Sequence, residues 1–251
     1  MIPKILHYCW FGPNGKSEIA QKCIASWKMF CPDFEFKEWT EKNTAKYQNK
    51  FYKNAYRKQK YAFVADCVRV QALYEYGGVY LDADMLLLTA IDELLTLDFF
   101  TGFEVEKRAA YGFFGGISGH RFFGKMATFY NSTPFNEFSL PVITHTFSAL
   151  IQTENLKENE RIYAPEYFYP LTYQNKAEDY SNYISKKSYA VHLWDHSWSD
   201  EKTGTTAVLW RNLRVVISDY LFFGYPWSYF RRYAKEFSRK LYHHYIGKKT
   251  Q

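Results

Sequence analysis

The sequence predicts an α/β fold, a mixed sheet flanked by helices, and three observations carry that prediction. Near the amino terminus an apolar run, a helical repeat and an alternating run follow one another, the strand, helix, strand order of half an α/β sheet. Further on, Tyr61 to Leu88 sets a buried-type helix, a glycine break and a β-prone run in immediate succession. The 251-residue chain is 47% hydrophobic, enough to fill one fair-sized domain with a small appendage.

Taken in order, Ile2 to Phe11 reads as an apolar first strand followed by the turn-rich Gly12-Pro13-Asn14-Gly15. Ser17 to Phe30 repeats Ile19, Cys23, Ile24, Trp27 and Phe30 near helical spacing, Pro32-Asp33 closes it, and Phe34 to Trp39 alternates like a strand. Residues 40–60 are lysine-rich with Tyr47, Phe51, Tyr52 and Tyr56 interleaved, and read as a mixed solvated helix. No glycine-rich or RNA-binding motif accompanies them, so no nucleic-acid partner is expected.

Phe63, Val64, Val68, Val70, Ala72, Leu73 and Tyr76 then suit a largely buried helix. Gly77-Gly78 stops it, because glycine tolerates the left-handed conformation that helix ends often need, and Val79-Tyr80-Leu81 is a short strand. Thr89 to Leu97 reads as a connecting helix or turn and Phe99 to Glu104 as a strand. Tyr111 to Gly119 is a glycine-rich loop without a phosphate-cradling or dinucleotide fingerprint. Pro141 to Ile151 reads as a helix, 153–161 as a charged loop, Ala164 to Pro170 as a proline-bracketed aromatic segment, and Ser188 to Val191 as a strand.

The chemistry-bearing residues concentrate in two places. Asp66 and Arg69 lie at i, i+3 and share a helix face, and Asp82-Ala83-Asp84 follows the short strand. If that strand stays extended, its period of two points both carboxylates the same way, as a hard divalent cation held by oxygen requires. Ala190 to Trp198 holds His192 and His196, four apart but after a strand, which disfavours a helical zinc pair. Cys9, Cys23, Cys31 and Cys67 show no Cys-x-x-Cys spacing and read as reduced, mostly buried thiols.

Residues 226–251 carry seven Lys and Arg against Glu236 alone, a net +6 equal to that of the whole chain. Trp227, Phe230, Ala234, Phe237, Leu241 and Tyr245 recur every three or four positions, so this tail predicts an amphipathic helix with an aromatic and a basic face, suited to an anionic membrane surface. A terminal helix docked on the domain with its basic side solvated is the competing reading. No apolar run is long enough to span a bilayer and no secretory pattern opens the sequence, so a cytoplasmic location, peripheral on the inner face of the membrane, is expected.

Asp66-x-x-Arg69, the Gly-Gly break and Asp82-Ala83-Asp84 together resemble the glycosyltransferases that share the "DXD" sugar-binding region, among them bacterial capsule and lipopolysaccharide enzymes and, more distantly, the glucosylating clostridial toxins. Ala190 to Trp198 resembles that family's His-x-Trp-x-x-Ser-Trp loop through His192, Trp194, Ser197 and Trp198. The resemblance implies a GT-A-type catalytic domain over 1–225, followed by the 226–251 helix. It implies a metal-dependent, retaining transfer of a hexose or N-acetylhexosamine from a nucleotide sugar, UDP-linked by analogy. The acceptor it suggests is an undecaprenyl-diphosphate-linked glycan in bacterial surface polysaccharide synthesis.

Residue by residue, Trp10 would stack on the donor base, and Asp66, Arg69 and Asp82 would hold the donor, with Arg69 also able to reach a phosphate. Asp82 and Asp84 would hold Mn²⁺ or Mg²⁺ together with His192, or alternatively His196. Ser197 and Trp198 would close over the diphosphate. The Tyr111 to Gly119 loop would lie beside the donor sugar, and Thr144 and His145 are candidates on the acceptor side. A catalytically inactive nucleotide-sugar or carbohydrate-binding protein is the alternative. A glycosidase is disfavoured, because two carboxylates this near on one strand more naturally share a cation than split into acid and nucleophile.

Overall fold

The computed structural model of the chain describes residues 1–105, 108–136, 141–147, 150, 156–195, 206–222, 227, 230–231, 233–235 and 237–239. It divides into two compact units, Met1–Thr133 with Pro141–Trp198, and Pro134–Leu140 with Ser199–Gln251.

The larger unit has the predicted α/β architecture. Its six-stranded mixed sheet runs β2 (Glu35–Trp39), β1 (Ile5–Cys9), β3 (Gly78–Leu81), β6 (Arg108–Gly116), β5 (Phe99–Val105), β7 (Glu160–Tyr163). β1 is parallel to both β2 and β3, whereas β6 is antiparallel to β3 and β5. β4 (Met85–Leu87) and β8 (Ala190–His192) form a separate antiparallel pair.

Helix α1 (Glu18–Phe30) makes the crossover from β1 to β2. Ser17 caps it by accepting the Ala20 N–H at 3.1 Å, and Glu18 and Lys28 suit the two ends of its dipole. Its buried face grips β4: Trp27 Nε1 donates to the Met85 carbonyl at 2.7 Å, and the Ser26 hydroxyl accepts the Leu87 N–H at 3.0 Å. Helix α2 (Lys50–Arg57) buries Phe51, Tyr52, Asn54 and Ala55, so residues 40–60 contribute to the core as well as to the surface.

Helix α3 (Tyr61–Tyr76) is buried on most sides, as its sequence predicts. Gly77 ends it at φ +66, and a Cβ there would meet the Ser118 amide nitrogen at 2.6 Å. His7 secures this break. Its Nε2 donates to the Gly77 carbonyl at 2.9 Å while its Nδ1 accepts the Trp39 indole N–H at 3.1 Å, and burial pushes its pKa down to about 4. The ring is therefore a neutral, doubly used strut.

Two expectations are corrected. Residues 111–119 are not all loop: Tyr111–Gly116 is the buried end of β6, where glycines let neighbouring groups approach closely, and the turn is confined to residues 117–119. Residues 153–161 are not all loop, because β7 begins at Glu160 and pairs in parallel with β5. Thr89–Leu97 holds the expected turn as a 3-10 helix, Asp92–Thr96. The described helices after β6 are α4 (Arg121–Ser132), the one-turn α5 (Ile143–Thr146) and α6 (Pro165–Phe168).

In the smaller unit α7 (Thr206–Phe222) packs Val216 and Leu213 against Phe230, Tyr233 and Phe237. The smaller unit thus holds α7 together with the segment after it, and the two share an apolar seam. No described helix is long and apolar enough to cross a membrane.

Candidate active site

The parallel pairing of β1 and β3 brings their carboxyl ends to one edge of the sheet, the usual place for a ligand in an α/β fold. Their register, Leu6 with Val79 and His7 with Tyr80, carried forward sets Cys9 and Trp10 level with Asp82 and Ala83. Asp82-Ala83-Asp84 is not extended as the sequence suggests. It forms a turn between β3 and β4, closed by the Met85 N–H on the Asp82 carbonyl at 2.9 Å, and this separates the surroundings of the two carboxylates.

Asp82 belongs to a cluster built on α3 and the sheet. Arg69 Nη2 lies 2.9 Å from Asp66 Oδ1 and 3.1 Å from Asp82 Oδ1, and Arg69 Nη1 donates to the Tyr111 carbonyl at 2.9 Å. The guanidinium sits 4.5 Å from the centre of the Tyr80 ring, whose hydroxyl donates to Asp82 Oδ1 at 3.0 Å. Gly112 makes room: a Cβ there would stand 2.8 Å from Asp82 Oδ2 and 3.2 Å from the Tyr169 hydroxyl.

One guanidinium thus serves two carboxylates. Burial pushes the Asp66 carboxyl up to about 7, with Arg69 opposing and the Asp82 charge adding to the rise. Arg69, itself penalised by burial, is held firmly charged by Asp82, Tyr80 and Asp66.

Asp84 belongs to a second cluster, supported by residues more than a hundred positions away. His192 Nε2 lies 2.9 Å from Asp84 Oδ2, which also accepts the Asp195 N–H at 3.0 Å, while the Asp84 carbonyl accepts the Leu193 N–H at 2.9 Å. The β4 and β8 ladder sets this register by pairing Met85 with His192. Burial works against the Asp84 charge, yet His192 holds its pKa below the ordinary range. Asp84 in turn raises His192 against burial.

The Trp194 ring lies 4.0 Å from that of His192 and donates to the Leu171 carbonyl at 3.0 Å. Trp194 adopts φ +55, a left-handed conformation that costs a non-glycine residue about 1–2 kcal/mol. Asp195 receives a hydrogen bond from the Ser17 hydroxyl, which ties this loop to the start of α1.

Two buried polar atoms in these clusters, Arg69 Nε and His192 Nδ1, have no hydrogen-bond partner among the described residues. Among the described residues, no group of three or more His, Cys, Asp or Glu side chains forms a ready metal cage. Two carboxylates on one turn still fit a hard cation of the Mg²⁺ type, which keeps several waters and takes its other ligands from phosphates rather than from an all-protein cage.

Trp10 is half-buried, its indole N–H donating to the Asn14 carbonyl at 2.9 Å. The structure brings Asp66, Arg69 and Asp82 into contact, and Asp84 with His192. His196, Ser197 and Trp198, and the side chain of His145, lie outside the described residues. Sequence reasoning missed Tyr80, Gly112, Tyr169, Asp195 and Ser17. Tyr80 and Asp195 border predicted motifs and so carry a weak signal, whereas Gly112 and Tyr169 are placed by strand pairing that no local pattern reveals.

Residues 17–100 match the glycosyltransferase sugar-binding region containing the DXD motif, and 120–209 match the conserved region of alpha 1,4-glycosyltransferases. Over these two segments the chain is similar to the DXD-containing glycosyltransferases. It is 26% identical over 147 residues to a human alpha-1,4-N-acetylglucosaminyltransferase, covering 53% of this chain and 42% of the relative. It is 33% identical over 101 residues to inositol phosphoceramide mannosyltransferase 3 of Schizosaccharomyces pombe, covering 38% and 27%. The chain therefore spans less than half the length of either relative.

Among solved structures, PaToxG glycosyltransferase aligns at 16% identity and TM-score 0.46, over 60% of this chain and 70% of its own. A glycosyltransferase involved in the glycosylation of the major capsid of PBCV-1 aligns at 12% identity and TM-score 0.43, over 76% and 94%. The family resemblance rests on the sequence matches alone.

Proposed function

We propose that this chain is a GT-A-type, metal-dependent, retaining glycosyltransferase that moves a hexose or N-acetylhexosamine from a UDP-sugar to a lipid-linked glycan in bacterial surface polysaccharide synthesis. The observation that carries the reading is the Asp82-Ala83-Asp84 turn at the shared carboxyl edge of β1 and β3, within the segment that matches the DXD family. The N-acetylglucosaminyl and mannosyl activities named for the two relatives support a sugar donor.

Asp82 and Asp84 would hold Mn²⁺ or Mg²⁺, which when bound would supply positive charge for the donor diphosphate. Trp10 receives the base on its ring. Asp82, the more exposed carboxylate of its cluster, meets the donor, while Asp66 and Arg69 behind it fix its position and offer hydrogen bonds to sugar hydroxyls and a phosphate. His192 orients Asp84 through Nε2, and its unpartnered Nδ1 remains available as a donor or ligand. Ser197 and Trp198 are the residues assigned to close over the diphosphate. An anionic membrane surface reached through 226–251 would bring the enzyme to a lipid-linked acceptor.

Release of nucleoside diphosphate from a panel of UDP-sugars and GDP-mannose, with Mn²⁺ or with EDTA, tests the reading. Mn²⁺-dependent release from at least one UDP-sugar is expected. Binding without release for every donor would contradict it and favour an inactive sugar-binding protein.

A further inference from the structure

Of the aromatic stripe predicted to face a membrane, Phe230 and Phe237 pack with Val216 and Tyr233 inside the smaller unit. A different apolar row is left outside. Trp210, Arg214, Ile217 and Leu221 lie at i, i+4, i+7 and i+11 of α7, a row that Val216 does not share. The Trp210 ring meets Phe237 at 5.4 Å, yet Trp210, Ile217 and Leu221 remain 55%, 40% and 62% exposed, Phe222 follows at 77%, and Trp227, 59% exposed, lies against Tyr220 and Phe230. Soluble surfaces rarely leave so many large apolar side chains together.

Charge says what covers it. Residues 206–251 carry nine Lys and Arg against Asp219 and Glu236, a net +7, whereas residues 1–205 net −1. Arg231, Lys235 and Arg239, spaced four apart, are exposed beside the aromatic seam. A 17-residue helix with a cation within its apolar row does not span a bilayer, but it suits the interface, where rings and Leu enter the acyl boundary and Arg214 reaches phosphates.

We propose that the Trp210, Arg214, Ile217 and Leu221 face of α7, flanked by the basic 227–239 segment, docks on an anionic lipid surface. The inference rests on the proposed lipid-linked acceptor only for its purpose, not for its physics.

The test is co-sedimentation of the full chain with phosphatidylcholine vesicles, with and without phosphatidylglycerol, alongside donor hydrolysis. The parent should bind anionic vesicles at least about tenfold more tightly than neutral ones, and Trp210→Ser with Leu221→Ser should lower that binding about tenfold or more. Arg231→Glu with Lys235→Glu should lower it most at low salt. Donor hydrolysis should stay unchanged in both double variants, and so should the unfolding midpoint of Arg231→Glu with Lys235→Glu, whereas Trp210→Ser also gives up a ring contact with Phe237. Undiminished sedimentation of Trp210→Ser/Leu221→Ser would overturn the proposal. So would a parent dimer that this variant converts to monomers while neither binds vesicles. Vesicle binding as expected with no turnover of any donor would instead defeat the transferase reading and leave the docking face standing.

Discussion

Asp82 and Asp84 stand two residues apart, yet the protein holds them by unlike means. Asp82 is fixed from within: its partners Arg69 and Tyr80 come from the buried helix and the same strand, and neutralise it at the sheet edge. Asp84 is fixed from afar, by His192 and the Asp195 amide on a loop that begins where the short β8 ends. The first arrangement forms with the core, and the second exists only when the last part of the larger unit has docked. A cation shared by both carboxylates would couple the finished core to that loop.

The sharpest break in the comparison is Asp84→Ala. We expect donor turnover to fall about 10³-fold, the loss typical when a principal charge-stabilising group is removed. The unfolding midpoint should change little, because His192 can relax to its neutral form. Arg69→Ala should do the reverse on stability, lowering it about 3–5 kcal/mol by leaving Asp66 and Asp82 buried together without a cation. Urea unfolding measures this, and adding Asp66→Asn should recover part of the loss. Equal stability losses for Asp84→Ala and Arg69→Ala would erase the distinction.

Acidity separates the two sides further. The raised pKa of Asp66 means the folded protein holds that proton more tightly than the unfolded chain. Its contribution is complete below about pH 4 and is lost as pH rises toward 7, on the order of 1–3 kcal/mol. Asp66→Asn should flatten that fall in a metal-free thermal series. The His192 and Asp84 pair behaves otherwise. With the carboxylate lowered and the imidazole raised, it stabilises most between their two ordinary values, and fades as pH drops through the first or climbs through the second. His192→Gln should remove the loss at the alkaline end and shrink that at the acid end, because His192 is also what lowers Asp84.

The smallest expected effect is that of Gly112→Ala. Its methyl would press on Asp82 Oδ2 and the Tyr169 hydroxyl, moving Asp82 off Arg69, and should raise the donor KM about tenfold with about 1–3 kcal/mol of destabilisation. Unaltered donor kinetics would show that the fit of Asp82 against β6 is not critical.

How much of this was legible in the sequence follows the same division. The strand, helix, strand start, buried α3, the Gly77 break and the Asp66 and Arg69 pair are local patterns, and sequence periodicity exposes them. Asp84's partners are not local: pairing of Met85 with His192 joins chain segments over a hundred residues apart, and only the family's His-containing loop hinted at it. Glycine enrichment suggested a loop at 111–119, but over 111–116 glycine serves close strand packing rather than a turn. Of the tail's aromatic repeat, Phe230 and Phe237 pack with Tyr233 on α7, whose own sequence drew no notice.

The claim that matters most is that the two carboxylates act on one cation. Mn²⁺ titration followed by electron paramagnetic resonance, with UDP present, tests it directly on the full chain. The account predicts that Asp82→Asn and Asp84→Asn each weaken Mn²⁺ binding at least about tenfold, with the fold retained. Parent-like Mn²⁺ affinity in either variant would contradict it.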